Sequence, residues 1–230
     1  MINGYELIDN FLTKEEHEYY LNICKETYEG THGKQHSHFS WNGEDNLNKI
    51  NGVCNYQPKF LELASNPILV KKAKEILNTD DTVDVYISKF FPMKPKVGMS
   101  TFMHQDNYYF KGNSSKIVSC AIYLEDTSKE NGCLRLVENS HKNGILEHDV
   151  VSEVDPWIRW INESNLESFN IVDLERPAPY ATFFDINLVH GCYPNVSDRT
   201  RFSLAWEYIP TSEVGPFVTD EPWCDRNTVG

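Results

Sequence analysis

The stretch "TFMHQDNYYF", residues 101–110, places His104 and Asp106 two residues apart in a segment with the composition of a strand. Alternate side chains of a strand share a face, so the imidazole and the carboxylate are expected to project together, with Cβ atoms roughly 7 Å apart. Such a pair can bind one divalent first-row metal ion, and a second histidine would complete the two-histidine, one-carboxylate set of non-haem Fe(II) sites. The segment predicts half of a metal site.

His190 is the best candidate for the third ligand. It lies in "FFDINLVHGCYPN", directly after a β run and before a turn, where the rim of a barrel would expose it to a cavity. Of the other histidines, His17, on the solvent face of a helix, and His148 are interpreted as residues without a functional role. His32, His36 and His38 lie in a polar loop, and His141 is placed near the site but not on the metal. The three in the polar loop could bind a metal by themselves, but no rigid element fixes them, and we interpret that loop as a lid.

The strand "RFSLAWEY" predicts an anion site. One of its faces is aromatic and should pack against helices, which turns the other face, Arg201, Ser203, Ala205 and Glu207, into the barrel. A buried arginine requires an anion, and a dicarboxylate gripped by a bidentate guanidinium meets that need. Arg199 would lie on the same side of an extended strand, but it belongs to the preceding turn, so Arg201 is the expected anchor.

The elements that must position these residues are helices first and strands afterwards. Thr13 and Glu16 stand in capping-box register before one helical pattern, and Pro67 suits the first turn of another. From Val83 onward, short runs rich in β-branched and aromatic residues alternate with turn residues, while residues 29–58 have no clear periodicity and read as a long loop. We therefore expect a mainly β fold with N-terminal helices, formed as one domain over residues 1–230.

Composition excludes several functions. With 21 basic and 34 acidic residues the formal net charge is −13, which repels the phosphates of nucleic acid. No secretory leader and no membrane-spanning run is apparent, and the six cysteines form no C-x-x-C pair. We expect a cytoplasmic protein with a small-molecule substrate and no nucleic-acid or membrane partner, while its oligomeric state is not indicated.

Four segments resemble the phytanoyl-CoA dioxygenase family of Fe(II)- and 2-oxoglutarate-dependent oxygenases. They are "GYELIDNFLTKEE", "HQD", "LEDTSKENGCLRLVENSHKNG" and "VHGCYPNVSDRTR", in that order along most of the chain. The resemblance implies a double-stranded β-helix, a jelly-roll of the cupin-like kind. It also implies that His104, Asp106 and His190 bind Fe(II), and that Arg201 pairs with the C5 carboxylate of 2-oxoglutarate.

Two positions depart from the pattern of that family. Cys192 stands where a serine is frequent, and the usual "PGSH" turn is "ENSH" here. Cys192 and Ser203 remain candidates for contact with the cosubstrate. Because Asp106 is a carboxylate and not a small residue, no coordination position is vacated for a halide, and the halogenating members of the family are disfavoured.

The reaction implied by the resemblance consumes O2 and 2-oxoglutarate, releases succinate and CO2, and hydroxylates the substrate through an Fe(IV)-oxo species. The acidic charge and short chain favour a small metabolite, for example an amine, over a bulky acyl-CoA. Candidate substrate residues follow the metal motif or lie in a second insertion: Asn107, Tyr108, Tyr109, Trp157 and Arg159. Two alternatives stay open, a peptidyl or protein hydroxylase with the same three ligands and a non-enzymatic cupin-like metal-binding module.

Overall fold

The computed structural model describes residues 1–34, 36–42, 46–110, 116–150, 159–214 and 224–230. Its strands are β1 (Tyr5–Asp9), β2 (Phe39–Asn42), β3 (Asn46–Asn51), β4 (Val83–Met93), β5 (Thr101–His104), β6 (Val118–Tyr123), β7 (Leu134–Val137), β8 (Asp149–Val150), β9 (Arg159–Trp160), β10 (Ile171–Asp173), β11 (Tyr180–Asp185), β12 (His190–Cys192), β13 (Arg201–Pro210) and β14 (Cys224–Val229). Its α-helices are α1 (Lys14–Glu29), α2 (Val53–Tyr56), α3 (Lys59–Ala64), α4 (Pro67–Leu77) and α5 (Asp106–Tyr109). None of the helices in these ranges is long and apolar enough to cross a membrane.

Two antiparallel sheets carry the fold. The major sheet has the order β1-β11-β6-β13-β4-β3-β2, with β14 beside β4, and the minor sheet has the order β10-β7-β12-β5. Buried residues from both sheets, among them Tyr123, Leu136 and Phe184, form one apolar cluster between them. This arrangement is the double-stranded β-helix that the resemblance predicted.

The N-terminal helices cover the outer face of the major sheet. The predicted capping box at the start of α1 is present: the Thr13 hydroxyl accepts from the Glu16 backbone N–H, and the Glu16 carboxylate accepts from the Thr13 backbone N–H. The aromatic face of β13 packs into the helix-side core as expected, and the Tyr208 hydroxyl donates to the Ala64 carbonyl at 2.6 Å. Packing of this face leaves the opposite face of β13 pointing between the sheets.

The segment predicted as a long loop is largely ordered structure, so that prediction was wrong. Strands β2 and β3 form a hairpin that extends the major sheet beyond β4, and Leu47 and Ile50 of β3 are buried in the core. The rings of His36 and His38 lie against Tyr56. Only one face of this hairpin is buried, so it contains few apolar residues. The sequence therefore shows no clear strand pattern there.

Candidate active site

His104 and His190 lie directly opposite each other on neighbouring strands of the minor sheet. Strands β5 and β12 pair with these two residues in register, and the ring centroids are 4.3 Å apart. The predicted strand over residues 101–110 ends at His104, because Asp106 begins the short helix α5. Gln105 between them keeps an extended backbone, with φ −120° and ψ 130°, so the Asp106 side chain still reaches the same side.

The structure brings His104, Asp106 and His190 together as one group of possible metal ligands. Their donor atoms all lie within 4.8 Å of one another. Asp106 Oδ1 is 3.6 Å from His104 Nε2 and 3.8 Å from His190 Nε2. Between 10% and 13% of each side chain is exposed, so the group is enclosed but reachable from solvent.

Backbone contacts fix which nitrogen of each imidazole is free. His104 Nδ1 lies 2.8 Å from the Phe102 carbonyl, and His190 Nδ1 lies 3.0 Å from the Leu188 carbonyl. A carbonyl only accepts, so each Nδ1 carries the proton and each Nε2 keeps its lone pair. Burial, together with the neighbouring His104, lowers the pKa of His190 to about 4, which keeps this imidazole neutral.

Asp106 is held as a carboxylate with one oxygen available. The Ser119 hydroxyl donates to Oδ2 at 2.7 Å, which leaves Oδ1 directed at the two imidazoles. Burial opposes the charge, but the positive charge that His190 and His104 carry when protonated, together with the Lys89 ammonium, outweighs it and holds the pKa of Asp106 well below its usual range. Two lone-pair nitrogens and one anionic oxygen are the donor set that suits a divalent first-row metal.

Gln105 and Asn107 connect the two segments that carry these donors. The buried Gln105 amide donates to the Asn187 carbonyl at 2.5 Å and accepts from the Leu146 N–H at 2.7 Å. Asn107, a candidate substrate residue, is also buried, and its side-chain amide donates to the Asn187 side chain at 2.7 Å. Since Asn187 lies in the turn before His190, these bonds fix the motif residues relative to the third histidine.

His148, which was interpreted from the sequence as a residue without a functional role, supports the same motif. Its Nε2 accepts from the backbone N–H of Gln105 at 3.1 Å, and its Nδ1 lies 2.8 Å from the Leu146 carbonyl. The ring stacks on Tyr108 with centroids 4.3 Å apart. No spacing in the sequence signals this role, because the two segments meet only in the folded chain.

Arg201 is the most deeply buried arginine near this group, with 3% of its surface exposed. Its guanidinium donates to the carbonyls of Asn131 at 3.2 Å and Gly132 at 2.9 Å and to the Ser203 hydroxyl at 2.6 Å, and it also contacts Met93 Sδ. Every one of these acceptors is neutral, and Arg201 forms no ion pair within the described ranges. Arg199, by contrast, is exposed.

Tyr123 lies near the Arg201 guanidinium, and Cys192 lies at the end of β12. Cys192 Sγ accepts from the Thr101 N–H at 3.2 Å. The Tyr123 ring lies 5.3 Å from the guanidinium carbon, and burial raises the pKa of Tyr123, so the phenol stays neutral. Sequence reasoning missed Tyr123, although its alternation with Ser119 on β6 could have placed it on the inner face.

A buried ion pair lies between the sheets beside Ser119. Lys89 Nζ is 2.6 Å from Glu207 Oε1, and Glu207 pairs in register with Ser119. Burial works against the charge on Lys89, but Glu207 outweighs it and raises the pKa of Lys89 to about 12. A single lysine within the apolar strand "VDVYISKFFPM" was the available signal for this pair.

The remaining candidate substrate residues form one side of the site. Tyr109 presents its ring to His104 with centroids 6.1 Å apart, and its hydroxyl accepts from the Arg159 backbone N–H at 3.3 Å. Tyr108 lies behind it against His148. Trp157 lies outside the described residues.

Comparisons with known proteins identify the family. The model of the phytanoyl-CoA dioxygenase (PhyH) family matches residues 2–203. Phytanoyl-CoA dioxygenase 1 of Oryza sativa subsp. japonica is 28% identical over 60% of this chain, an alignment that spans about half (48%) of the rice protein. A probable alpha-ketoglutarate-dependent hypophosphite dioxygenase of Stutzerimonas stutzeri is 25% identical over 93% of the chain and 80% of its own length.

A solved structure shows the same fold. EctD from S. alaskensis, crystallised with 2-oxoglutarate and 5-hydroxyectoine, superimposes with a TM-score of 0.79 at 17% identity and covers 100% of this chain and 82% of its own. The family match over nearly the whole chain, the ordered motifs and the shared fold agree. The chain therefore belongs to the phytanoyl-CoA dioxygenase family, whose members are Fe(II)- and 2-oxoglutarate-dependent oxygenases.

Proposed function

We propose that residues 1–230 form one oxygenase domain that uses Fe(II), 2-oxoglutarate and O2 to hydroxylate a small molecule. The observation that carries the proposal is the combination of two features on the inner surface of the barrel. One is the convergent donor set of His104, Asp106 and His190, with both Nε2 lone pairs free. The other is the buried Arg201, whose charge meets only neutral acceptors.

In this proposal the three donors hold the iron, and Arg201 binds the far carboxylate of 2-oxoglutarate. Guanidinium and carboxylate form paired, charge-assisted hydrogen bonds, which are strong where water is excluded. Ser203 orients the guanidinium and the Tyr123 ring lies against it, while Cys192 stays a candidate for contact with the cosubstrate. Iron and 2-oxoglutarate together supply oxidative decarboxylation coupled to oxidation of a substrate C–H bond, with succinate and CO2 as products.

The chain's own residues keep the donors in the reactive form. The backbone carbonyls of Phe102 and Leu188 hold the Nδ1 protons of the two imidazoles, so both can bind a metal without first losing a proton. Ser119 fixes the second oxygen of Asp106, which directs the first one inward. This arrangement positions all three donors before any metal arrives.

A small molecule is the favoured substrate class. The similar Stutzerimonas protein, aligned over 93% of this chain, is named for hypophosphite, a small ion. The half-length alignment with the rice phytanoyl-CoA dioxygenase gives no comparable support for an acyl-CoA.

The test is an anaerobic titration of the purified protein, first with Fe(II) and then with 2-oxoglutarate, followed by exposure to O2 and measurement of succinate. We expect one iron per chain and a charge-transfer absorbance that appears only when 2-oxoglutarate is added. Asp106→Ala should lose most iron binding, whereas Asp198→Ala, at an exposed carboxylate of the surface pair with Lys96, should bind iron normally. Iron binding without any binding of 2-oxoglutarate would instead favour the metal-binding module.

A further inference from the structure

Arg159 lies at the edge of the strand that carries His104. It pairs with Val150 across β8 and β9, and two residues later the Ile161 N–H donates to the Met103 carbonyl at 2.7 Å. Met103 precedes His104 directly. The backbone of Arg159 is therefore fixed beside the metal motif.

Arg159 lies against the aromatic residues that surround His104. Its backbone N–H donates to the Tyr109 hydroxyl at 3.3 Å. The Tyr109 ring lies against the His104 ring, with centroids 6.1 Å apart, and His148 accepts from the backbone N–H of Gln105, next to His104. Arg159 therefore lies on the same side of the site as Tyr109.

Arg159 has no anionic partner among the residues that the structure describes. Its Nη1 is buried without any hydrogen-bond acceptor. The other cations near the site are already assigned, because Lys89 pairs with Glu207 and Arg201 faces the cosubstrate subsite. An arginine ordinarily pairs with a carboxylate, and Arg176 does so by donating two hydrogen bonds to Asp9.

A buried guanidinium nitrogen without an acceptor is costly, and 34 acidic residues offer ample partners in this chain. An arginine left unpaired beside a reactive centre is suited to an anion that arrives from solution. Its planar fork matches a carboxylate or a phosphorus oxyanion. The unpaired Arg159 thus favours an anionic substrate, whereas the acidic composition of the chain by itself favoured an amine.

We propose that Arg159 binds an anionic group of the substrate, a carboxylate or a phosphorus oxyanion, and thereby places the rest of the molecule over Tyr109 and His104. The inference rests on the proposed oxygenase function and adds the substrate class. An amino acid satisfies both expectations, since its carboxylate would bind Arg159 while its amine suits the acidic composition of the chain.

The experiment uses the full chain loaded with Fe(II) and 2-oxoglutarate. The probes are free L-amino acids, hypophosphite and phosphite, together with the neutral-headed amide of each amino acid. Succinate release above the substrate-free level is measured for each probe. We expect at least one anionic probe to stimulate succinate release, and where that probe is an amino acid we expect its amide to fail.

Arg159→Gln should raise the concentration needed for half-maximal stimulation about thirtyfold or more, while 2-oxoglutarate affinity stays within about threefold. Arg159→Lys, which keeps the charge but not the fork, should recover part of the loss. Arg176→Gln is the matched control at a surface arginine and should behave as wild type. Thermal unfolding of each variant establishes that it is folded.

Three results would overturn the inference: amides that stimulate as well as the acids, an Arg159→Gln variant with unchanged response, or a wild-type protein that binds 2-oxoglutarate but responds to no anionic probe. Failure of the proposed function looks different. In that case the wild-type protein does not bind 2-oxoglutarate at all, whatever probe is added.

Discussion

Replacing Arg201 by alanine should weaken 2-oxoglutarate binding by about a hundredfold to several thousandfold. The guanidinium is 3% exposed, so its pair with a carboxylate would form away from water. Removing one partner of a buried charged pair costs about 3–5 kcal/mol, and each 1.4 kcal/mol is about tenfold in affinity. Iron binding should be nearly unchanged, because Arg201 contacts none of the three donors.

Arg199 provides the matched control, since it lies two residues away and is exposed. An exposed ion pair contributes about 1 kcal/mol or less, so Arg199→Ala should weaken binding by about fivefold at most. Both variants remove an arginine side chain, and the two positions lie two residues apart. The difference between their losses of 2-oxoglutarate affinity therefore reflects the burial of Arg201. It therefore also tests which arginine begins the inward face of β13.

The assay is an anaerobic titration of 2-oxoglutarate into the Fe(II)-loaded protein, followed through its charge-transfer absorbance. Arg201 also bonds to the carbonyls of Asn131 and Gly132, so the thermal unfolding of Arg201→Ala has to be measured in parallel. Arg201→Lys keeps a charge at the site and should bind more tightly than the alanine variant. A folded Arg201→Ala protein with an affinity within fivefold of wild type, or a larger loss in Arg199→Ala, would refute the assignment.

Two further predictions concern stability. Lys89→Met should destabilise the fold by about 3–5 kcal/mol because it removes the ammonium that faces the 1%-exposed Glu207 carboxylate, whereas Lys89→Met combined with Glu207→Leu should lie within about 1 kcal/mol of wild type. Urea unfolding of the single and double variants measures both free energies of unfolding. Equal destabilisation of the two variants would contradict an energetic coupling between Lys89 and Glu207. Thr13→Ala removes the capping box of α1 and should lower the free energy of unfolding by about 1 kcal/mol. The expected measurement is a fall of about 2–4 °C in Tm. No change in Tm would show that this helix end does not limit unfolding.

The sequence predicted most of what depends on local pattern. Strand alternation on β13 correctly separated the aromatic face from the face with Arg201, and Thr13 and Glu16 correctly located the start of α1. His104, Asp106 and His190 were selected from type, spacing and family resemblance, and the fold brings them together. Their roles as iron ligands stay a prediction until metal binding is measured.

What the sequence could not supply are contacts between distant segments. His148 bonds to the backbone between two candidate ligands, yet 43 residues separate it from Gln105. The Lys89–Glu207 pair spans 118 positions, and the single lysine in an apolar strand does not by itself identify its partner. Such pairings are set by sheet topology, which residue spacing does not encode.

The tethered donor set has a consequence for the metal that the protein will carry. Because carbonyls hold both imidazoles and Ser119 holds the carboxylate, the three donors offer the same face to any divalent ion of the first transition row. Intrinsic affinity along that row rises from manganese through iron to copper, with zinc also above iron. Competition would thus favour zinc, nickel or copper wherever they are free, so that iron occupancy depends on metal supply in the cell and on chelation during purification.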